Sequence, residues 1–386
     1  MVGAPTARPG AAVEAVIVGA GPAGDAVAAG LRDAGWDGGI KLIGAEKELP
    51  YERPHLSKGY LLGTVSRDKL PLRPAAQYAE LGVELVLGES VIELGLDDHR
   101  VRTEGGRYVA WDRLCVATGS DSRRLPGLDG AVYLRNLQQA DALRDVIASR
   151  SSLEILGAGF IGCEVEAVAV TKGCEVRVHE QLDQPLLRVL GPDLGSYLAS
   201  VHRGHGVDLR LNSKSDTADL VAIGSVPRVM AGLDADHGIV VDRFGQTSAP
   251  GVLAACDVTR FFHPLFQTKI RVEHFQTSQR QGFAVGRTMA GSPTAYDEVP
   301  WFWSDQYELN LQYVGAGLAW DEVMIRGELG QPPFTVFQLN GGILVAVIGV
   351  NDHHTVARAR HLMQGRVAVS RDRLADPRFD LRRALP

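Results

Sequence analysis

"LEILGAGFIGCE", residues 153–164, sets a short apolar run before Gly157, Gly159 and Gly162 and opens a helix-forming run after them. Glycines at this spacing between a strand and a helix form the fingerprint of a dinucleotide-binding βαβ unit. The first permits a tight turn, the second lets a pyrophosphate reach the backbone, and the third lets the helix pack close to the strand. The helix start adds unpaired N–H groups and a positive dipole end for the phosphates. "CEVEAVAVTKG" (163–173) supplies the helix and "EVRVHE" (175–180) the next strand, which ends in Glu180. An acid there accepts hydrogen bonds from a free ribose 2′-hydroxyl and repels a 2′-phosphate, so NAD(H) is expected over NADP(H). His179 beside it reads as a strand-end surface residue.

The same scheme stands earlier in the chain. "VIVGAGPAGD" (16–25) carries Gly19, Gly21 and Gly24 after an apolar strand, and "DAVAAGLRDAG" (25–35) reads as the helix. "IKLIG" (40–44) is the next strand, with Glu46 the candidate ribose acid two residues past it. Two dinucleotide folds imply two dinucleotides: a flavin that stays bound and a nicotinamide that comes and goes. "LCVATGS" (114–120) and "GVLAACD" (251–257) each run apolar into a small-residue turn. A parallel sheet delivers backbone or a carboxylate to its ligand in this way, which places Asp257 on a polyol hydroxyl of the flavin.

At 386 residues the chain has room for two or three domains. A net charge of −6 and the lack of a dense Lys/Arg run argue against nucleic acid as a partner. No apolar span reaches the roughly 18 residues of a membrane helix, so no membrane is expected. "MVGAPTARPGAA" (1–12) reads as a loose tail rather than a signal peptide, and a cytoplasmic address follows. Cys115, Cys163, Cys174 and Cys256 form no Cys-x-x-Cys or Cys-x4-Cys pair, which excludes dithiol exchange beside a flavin. Each is read as buried filler, with Cys163 and Cys174 flanking the second helix. His353, His354 and His361 in "DHHTVARARHLMQG" (352–365) have no third ligand at suitable spacing, so that segment is expected to be a solvated basic helix and no metal is predicted.

Three longer motifs sharpen the reading: "LPYERPHLSKGYL" (49–61), "RVEHFQTSQRQG" (271–282) and "PWFWSDQYELNLQYVG" (300–315). Together with the two fingerprints, "ATG" (117–119) and "TSAPGVLAACD" (247–257), they make nearly the whole chain resemble the FAD-dependent ferredoxin reductases of the putidaredoxin reductase type, related to apoptosis-inducing factor. The resemblance implies an α/β fold with two Rossmann-like, three-layer dinucleotide-binding domains and a C-terminal α+β domain. Its segments would be an FAD-binding domain in two parts (11–118 and 238–296), an inserted NAD-binding domain (119–237) and the C-terminal reductase domain (297–386).

Carried over residue by residue, the resemblance puts Arg53 and Lys58 against the flavin, Arg123 and Asp257 on its phosphate and ribitol regions, and His274 near the ring. Glu164 matches a residue that pairs with the flavin-side lysine and helps seat the nicotinamide, and Trp303 an aromatic beside the ring. Thr118, Gly119, Glu273, Phe275, Ile161 and Gly224 complete the candidate cofactor-binding set. Lys58 can stabilise negative charge developing on reduced flavin, with Glu164 offsetting and orienting its ammonium. Trp301 and Trp303 alternate around Phe302, so on a strand they share a face and could cover a planar ring.

The implied reaction is hydride transfer from NADH to FAD, then single-electron release to a ferredoxin-type iron–sulfur protein serving a monooxygenase or dioxygenase. Arg271 and Arg124 are candidate steering cations for such an acidic partner. Departures from the family pattern are Ala45 at the usual ribose acid, His55 for a proline, Phe275 for a tryptophan, and Cys256 for a glycine. The NAD-binding domain also reads as trimmed, with only "SKSDT" (213–217) between "GVDLRLN" and "ADLV". Two rivals remain: a flavin oxidoreductase acting directly on a small molecule, quinone or oxygen, and a flavin-bound redox sensor with impaired NADH turnover.

Overall fold

A computed structural model describes residues 13–384; the expected N-terminal tail lies outside the described residues. The chain forms two compact bodies. The first comprises 13–52, Leu70–Asp121 and Pro227–Glu298; the second comprises Arg53–Lys69, Ser122–Val226 and 299–384. Mixed α/β architecture with parallel sheets and a C-terminal antiparallel sheet is the fold class expected from the motifs.

The first body is built on a five-stranded parallel sheet in the order Val252–Ala254, Arg113–Val116, Glu14–Val18, Gly39–Gly44, Val83–Leu87. Its central strand buries Ala15, Val16 and Ile17 completely, as β-branched, apolar sequence must when both faces of a parallel sheet are covered. The Pro22–Asp33 helix begins with proline at its first turn, where the missing N–H costs nothing. It lies so close to the Phe275–Met289 helix that a Cβ on Gly286 would meet the Val27 carbonyl oxygen at 2.1 Å. Small residues in both helices follow from that approach. Asp25 is buried in the first helix and accepts from Arg73 Nε and Tyr78 Oη, each at 2.7 Å.

The second body contains a four-stranded parallel sheet ordered Asp208–Arg210, Glu175–His179, Ser152–Leu156, Leu220–Val221. Residues 211–219 carry the chain from one edge of this sheet to the other with no intervening helix or strand. His179 is not the surface residue expected: it is buried, its Nδ1 lies 2.8 Å from Ser213 Oγ and its Nε2 3.1 Å from Glu154. The short crossing covers it, which the strand pattern alone could not reveal. Cys163 sits inside the first turn of the Phe160–Thr171 helix rather than flanking it, while Cys174 follows the helix.

A five-stranded antiparallel sheet, ordered Trp301–Gln306, Leu309–Gly315, Ile343–Val350, Gln331–Asn340, Glu322–Glu328, completes the second body. The His353–Gln364 helix is amphipathic rather than solvated: Val356, Ala359, Leu362 and Met363 are buried, and the helix packs on the Ile343–Val350 strand. Apolar residues at i, i+3, i+6 and i+7 carry the burying stripe, with the arginines and histidines on the other face. No described helix is long and apolar enough to cross a membrane.

Candidate active site

The two glycine loops meet the same steric demands. Gly19 has φ +120°, and a Cβ there would lie 2.1 Å from the Ala117 carbonyl oxygen; a Cβ on Gly24 would lie 2.0 Å from the Gly19 carbonyl oxygen. Gly157 has φ +99° with the Ala222 oxygen 2.5 Å from a hypothetical Cβ, and Gly162 repeats the 2.0 Å approach to Gly157. The middle glycines differ from these. Gly21 looks onto open space, and Gly159 meets nothing nearer than 3.7 Å. Each helix starts on its middle glycine with no side chain capping it. The first-turn N–H groups therefore lack a side-chain acceptor, and the cleared space above them suits a diphosphate. Residues and space fit a dinucleotide at both loops.

In the first body, Glu46 stands two residues past its strand and accepts from Tyr51 Oη at 2.6 Å. Asp257 is buried at the end of the Val252–Ala254 strand, with Ser120 Oγ 3.2 Å from one carboxylate oxygen and Ser278 Oγ 3.3 Å from the other. Both serines escaped the sequence reading, although Ser278 lies within the quoted "RVEHFQTSQRQG" motif. Cys256 is in the left-handed region at φ +73°, a conformation that glycine adopts without strain. Gln281 Oε1 accepts its N–H at 2.7 Å. Thr118 Oγ1 donates to the Arg228 carbonyl at 2.8 Å, and the Gly119 carbonyl accepts the Arg228 N–H at 2.9 Å.

His274 precedes the Phe275–Met289 helix, and desolvation of its ring lowers its pKa to about 4 against the opposing pull of Asp257. The imidazole is therefore neutral at physiological pH. Phe275 is half-buried on the first helical position, and Glu273 is exposed and paired with Arg271 at 2.5 Å. Arg271 also donates to the Asp257 carbonyl at 3.1 Å. Those bonds hold it in the loop beside Asp257.

In the second body, Glu180 directly follows its strand. One oxygen accepts the Ala158 N–H at 2.8 Å and the other the Leu182 N–H at 2.9 Å. The acid is thus oriented by the glycine loop itself, and each oxygen keeps a lone pair for a ribose hydroxyl. Ile161 is exposed in the first turn of the helix. Gly224 is exposed at φ +107°, and its carbonyl accepts the Arg123 N–H at 2.9 Å. Arg124 stacks its guanidinium 4.4 Å from the Tyr133 ring centroid.

A buried hydrogen-bonded cluster surrounds Glu164, which is 4% exposed. Lys58 Nζ donates to Glu164 Oε2 at 2.8 Å, the pair that the family resemblance implies. Ser57 Oγ donates to the same oxygen, and Ser304 Oγ donates to Oε1 at 2.7 Å. Arg53, in the same short turn as Ser57, donates to the Arg135 carbonyl at 2.6 Å. Strand alternation sends Phe302, Ser304 and Gln306 toward the Phe160–Thr171 helix, where Phe302 meets Phe160 edge-on at 4.7 Å. Trp301 and Trp303 share the other face with ring centroids 6.0 Å apart, as expected. The serines were missed because the motif drew attention to their neighbours, Lys58 and Trp303.

Two residues further along that helix, Glu166 accepts from Tyr307 Oη at 2.5 Å and lies 2.7 Å from His202 Nδ1. Cys163 is close by, so three metal-ligand types lie within 4.8 Å of one another. Glu166 is already occupied by Tyr307 and His202, and burial pushes the Cys163 thiol well above its ordinary pKa. The cluster therefore reads as a hydrogen-bonded anchor between two helices and a strand turn. All four cysteines are buried and none is in a disulfide.

Comparison with known proteins agrees with this geometry. Residues 13–219 match the pyridine nucleotide-disulphide oxidoreductase family, and residues 301–385 match the reductase C-terminal family. The chain is 34% identical to rhodocoxin reductase of Rhodococcus erythropolis, covering 96% of this chain and 94% of that protein. It is 34% identical to putidaredoxin reductase CamA of Pseudomonas putida, with 95% of each covered. The anthranilate 1,2-dioxygenase system ferredoxin–NAD(+) reductase component of Burkholderia cepacia is 36% identical, with 95% and 98% covered. Among solved structures, the covalent putidaredoxin reductase–putidaredoxin complex superposes with a TM-score of 0.92 at 33% identity, over 97% of this chain and 98% of that one. The chain belongs to the pyridine nucleotide-disulphide oxidoreductase family, in the ferredoxin reductase branch that carries the reductase C-terminal domain.

Proposed function

We propose that the protein is an FAD-dependent NADH:ferredoxin oxidoreductase that passes electrons from NADH through FAD to an iron–sulfur protein of an oxygenase system. The relative named as the ferredoxin–NAD(+) reductase component of an anthranilate 1,2-dioxygenase system supports the partner class. The carrying observation is that one chain combines two uncapped glycine cradles with a Lys58–Glu164 ion pair whose carboxylate is buried and hydrogen-bonded on both oxygens. Bound FAD supplies the conversion from a two-electron hydride donor to single-electron release.

The chain's own residues position and tune. The Gly19–Gly24 loop, Glu46 and Asp257 are assigned to FAD, with Thr118, Gly119, Arg123, Glu273, His274 and Phe275 completing its site. Arg53, Lys58 and Trp303 are assigned to the ring by their motifs. The Gly157–Gly162 loop, Ile161, Glu164, Glu180 and Gly224 are assigned to NADH. Lys58 presents a fixed positive charge, and Glu164 keeps it oriented in a poorly hydrated setting. Neutral His274 can donate or accept a hydrogen bond without adding charge. With every thiol buried, no sulfur is available to relay electrons, so they leave without a dithiol step.

The division into an FAD domain (11–118 and 238–296), an NAD domain (119–237) and a reductase domain (297–386) belongs to this reading. So does a cytoplasmic location, which four cysteines in no disulfide favour. Anaerobic stopped-flow mixing with NADH, then with a [2Fe–2S] ferredoxin, tests the function. Flavin bleaching by NADH and its reversal by ferredoxin are expected. Bleaching reversed only by oxygen or a quinone would overturn the partner, and no bleaching would overturn the reaction.

A further inference from the structure

We infer that Ser304 and Ser57 are positioning residues that lock the Glu164 carboxylate, and through it the Lys58 ammonium, independently of the nicotinamide. The inference rests on the reading of Lys58 and Glu164 given above. The two oxygens of Glu164 are gripped from two separate segments: Oε1 by Ser304 on the Trp301–Gln306 strand, Oε2 by Ser57 and Lys58 on the "HLSKG" turn. A single ammonium partner would leave the carboxylate free to rotate about its last torsion. Donors on both oxygens remove that freedom.

Burial argues that the hydroxyls are there for bonding rather than filling. Ser304 is 0% and Ser57 6% exposed, and a buried hydroxyl is costly unless it is hydrogen-bonded. Ser304 is itself held, accepting from Gln306 Nε2 at 3.0 Å. Its backbone neighbour is Trp303, so one strand both grips the Glu164 helix and presents the tryptophan on its opposite face. The chain Gln306–Ser304–Glu164–Lys58 therefore fixes an acid, a cation and an aromatic relative to one another. Preorganisation of this kind removes reorganisation from the reactive encounter.

The test uses the FAD-loaded protein and the variants Ser304→Ala, Ser57→Ala and Ser304→Thr. Two readouts are taken: acetylation of Lys58 by acetic anhydride, mapped by mass spectrometry without nicotinamide, and the rate and KM of flavin reduction by NADH. Loss of one hydrogen bond to a charged group predicts about a tenfold rise in Lys58 labelling and a comparable fall in reduction rate for each alanine variant. Threonine at 304 restores both. If Ser304→Ala does not fold, Ser57→Ala carries the same test from the other oxygen. Unchanged labelling and rate in the alanine variants, or a threonine variant as impaired as alanine, would overturn the inference. Failure of NADH to bleach the unaltered protein would instead sink the functional reading, while the labelling ratio would still decide the serine clamp.

Discussion

The first and second fingerprint units have the same loop stereochemistry but secure their acids differently. Glu46 stands two residues past its strand and is held by the Tyr51 hydroxyl, whereas Glu180 follows its strand directly and is held by loop N–H groups. The second loop and its acid thus form one preformed unit, which suits a ligand that must exchange. The helices differ too. Asp25, just after the last glycine of the first loop, is neutralised within its own body by Arg73 and Tyr78. Glu164, two residues after the last glycine of the second, binds Lys58. Backbone geometry is what the cradles share, and the chemistry diverges at the side chains that follow it.

Substituting the third glycines should separate the loops with the largest effect. Gly24→Ala places a Cβ 2.0 Å from a carbonyl oxygen and is expected to yield protein without FAD. Gly162→Ala is expected to retain the yellow colour but lose at least about a hundredfold in NADH-driven bleaching. The opposite pattern would exchange the two cofactor assignments. Lys58→Ala comes next. Loss of its charge should slow flavin reduction by about a hundredfold with FAD content preserved, a typical cost for a preorganised electrostatic group. Equal loss of rate and FAD would reject that role.

Glu180→Ala should narrow the preference for NADH over NADPH by about tenfold to a hundredfold, since both charge repulsion and hydrogen bonds to the ribose disappear. Glu46→Ala should leave that ratio alone, and kcat/KM with each nicotinamide measures both.

His274 contributes a pH dependence of definite sign. Its folded pKa of about 4 lies below the ordinary value of 6.5, so below pH 6.5 the unfolded chain binds a proton that the folded chain refuses. Stability should fall as pH drops from about 6.5 to 4, by up to about 1.4 kcal/mol per pH unit from this group. Urea denaturation of His274→Gln should show a flatter acid limb. The smallest expected effects come from the strand ends. Gly224→Cys imposes a left-handed conformation on a side chain in open space and should cost about 1–2 kcal/mol. Cys256→Gly relieves similar strain but forfeits a buried thiol, and is expected to be neutral within about 1 kcal/mol. Thermal melts of both variants check the pair.

The parts of the site legible in sequence were those with local causes. The loop glycines, Glu180 at a strand end and the Trp301–Trp303 face follow from periodicities of one strand or one turn. The partners were not legible. His179 reads as surface until residues 211–219 cross it, and the terminal helix reads as solvated until it meets the antiparallel sheet.

By itself the sequence determined two dinucleotide cradles and the absence of a neighbouring cysteine pair, while the pairing of Lys58 with Glu164 came from the family resemblance. It could do so because glycine spacing, strand alternation and helix starts are set by covalent geometry over a few residues. Only the tertiary structure decided what holds those groups in place: Ser57 and Ser304 on Glu164, Ser120 and Ser278 on Asp257, Tyr307 and His202 on Glu166. Most of those partners are more than a hundred residues apart or on separate elements. A hydroxyl or imidazole is chemically at home on the surface or in the core, so only the packing of those elements tells which carboxylate it meets.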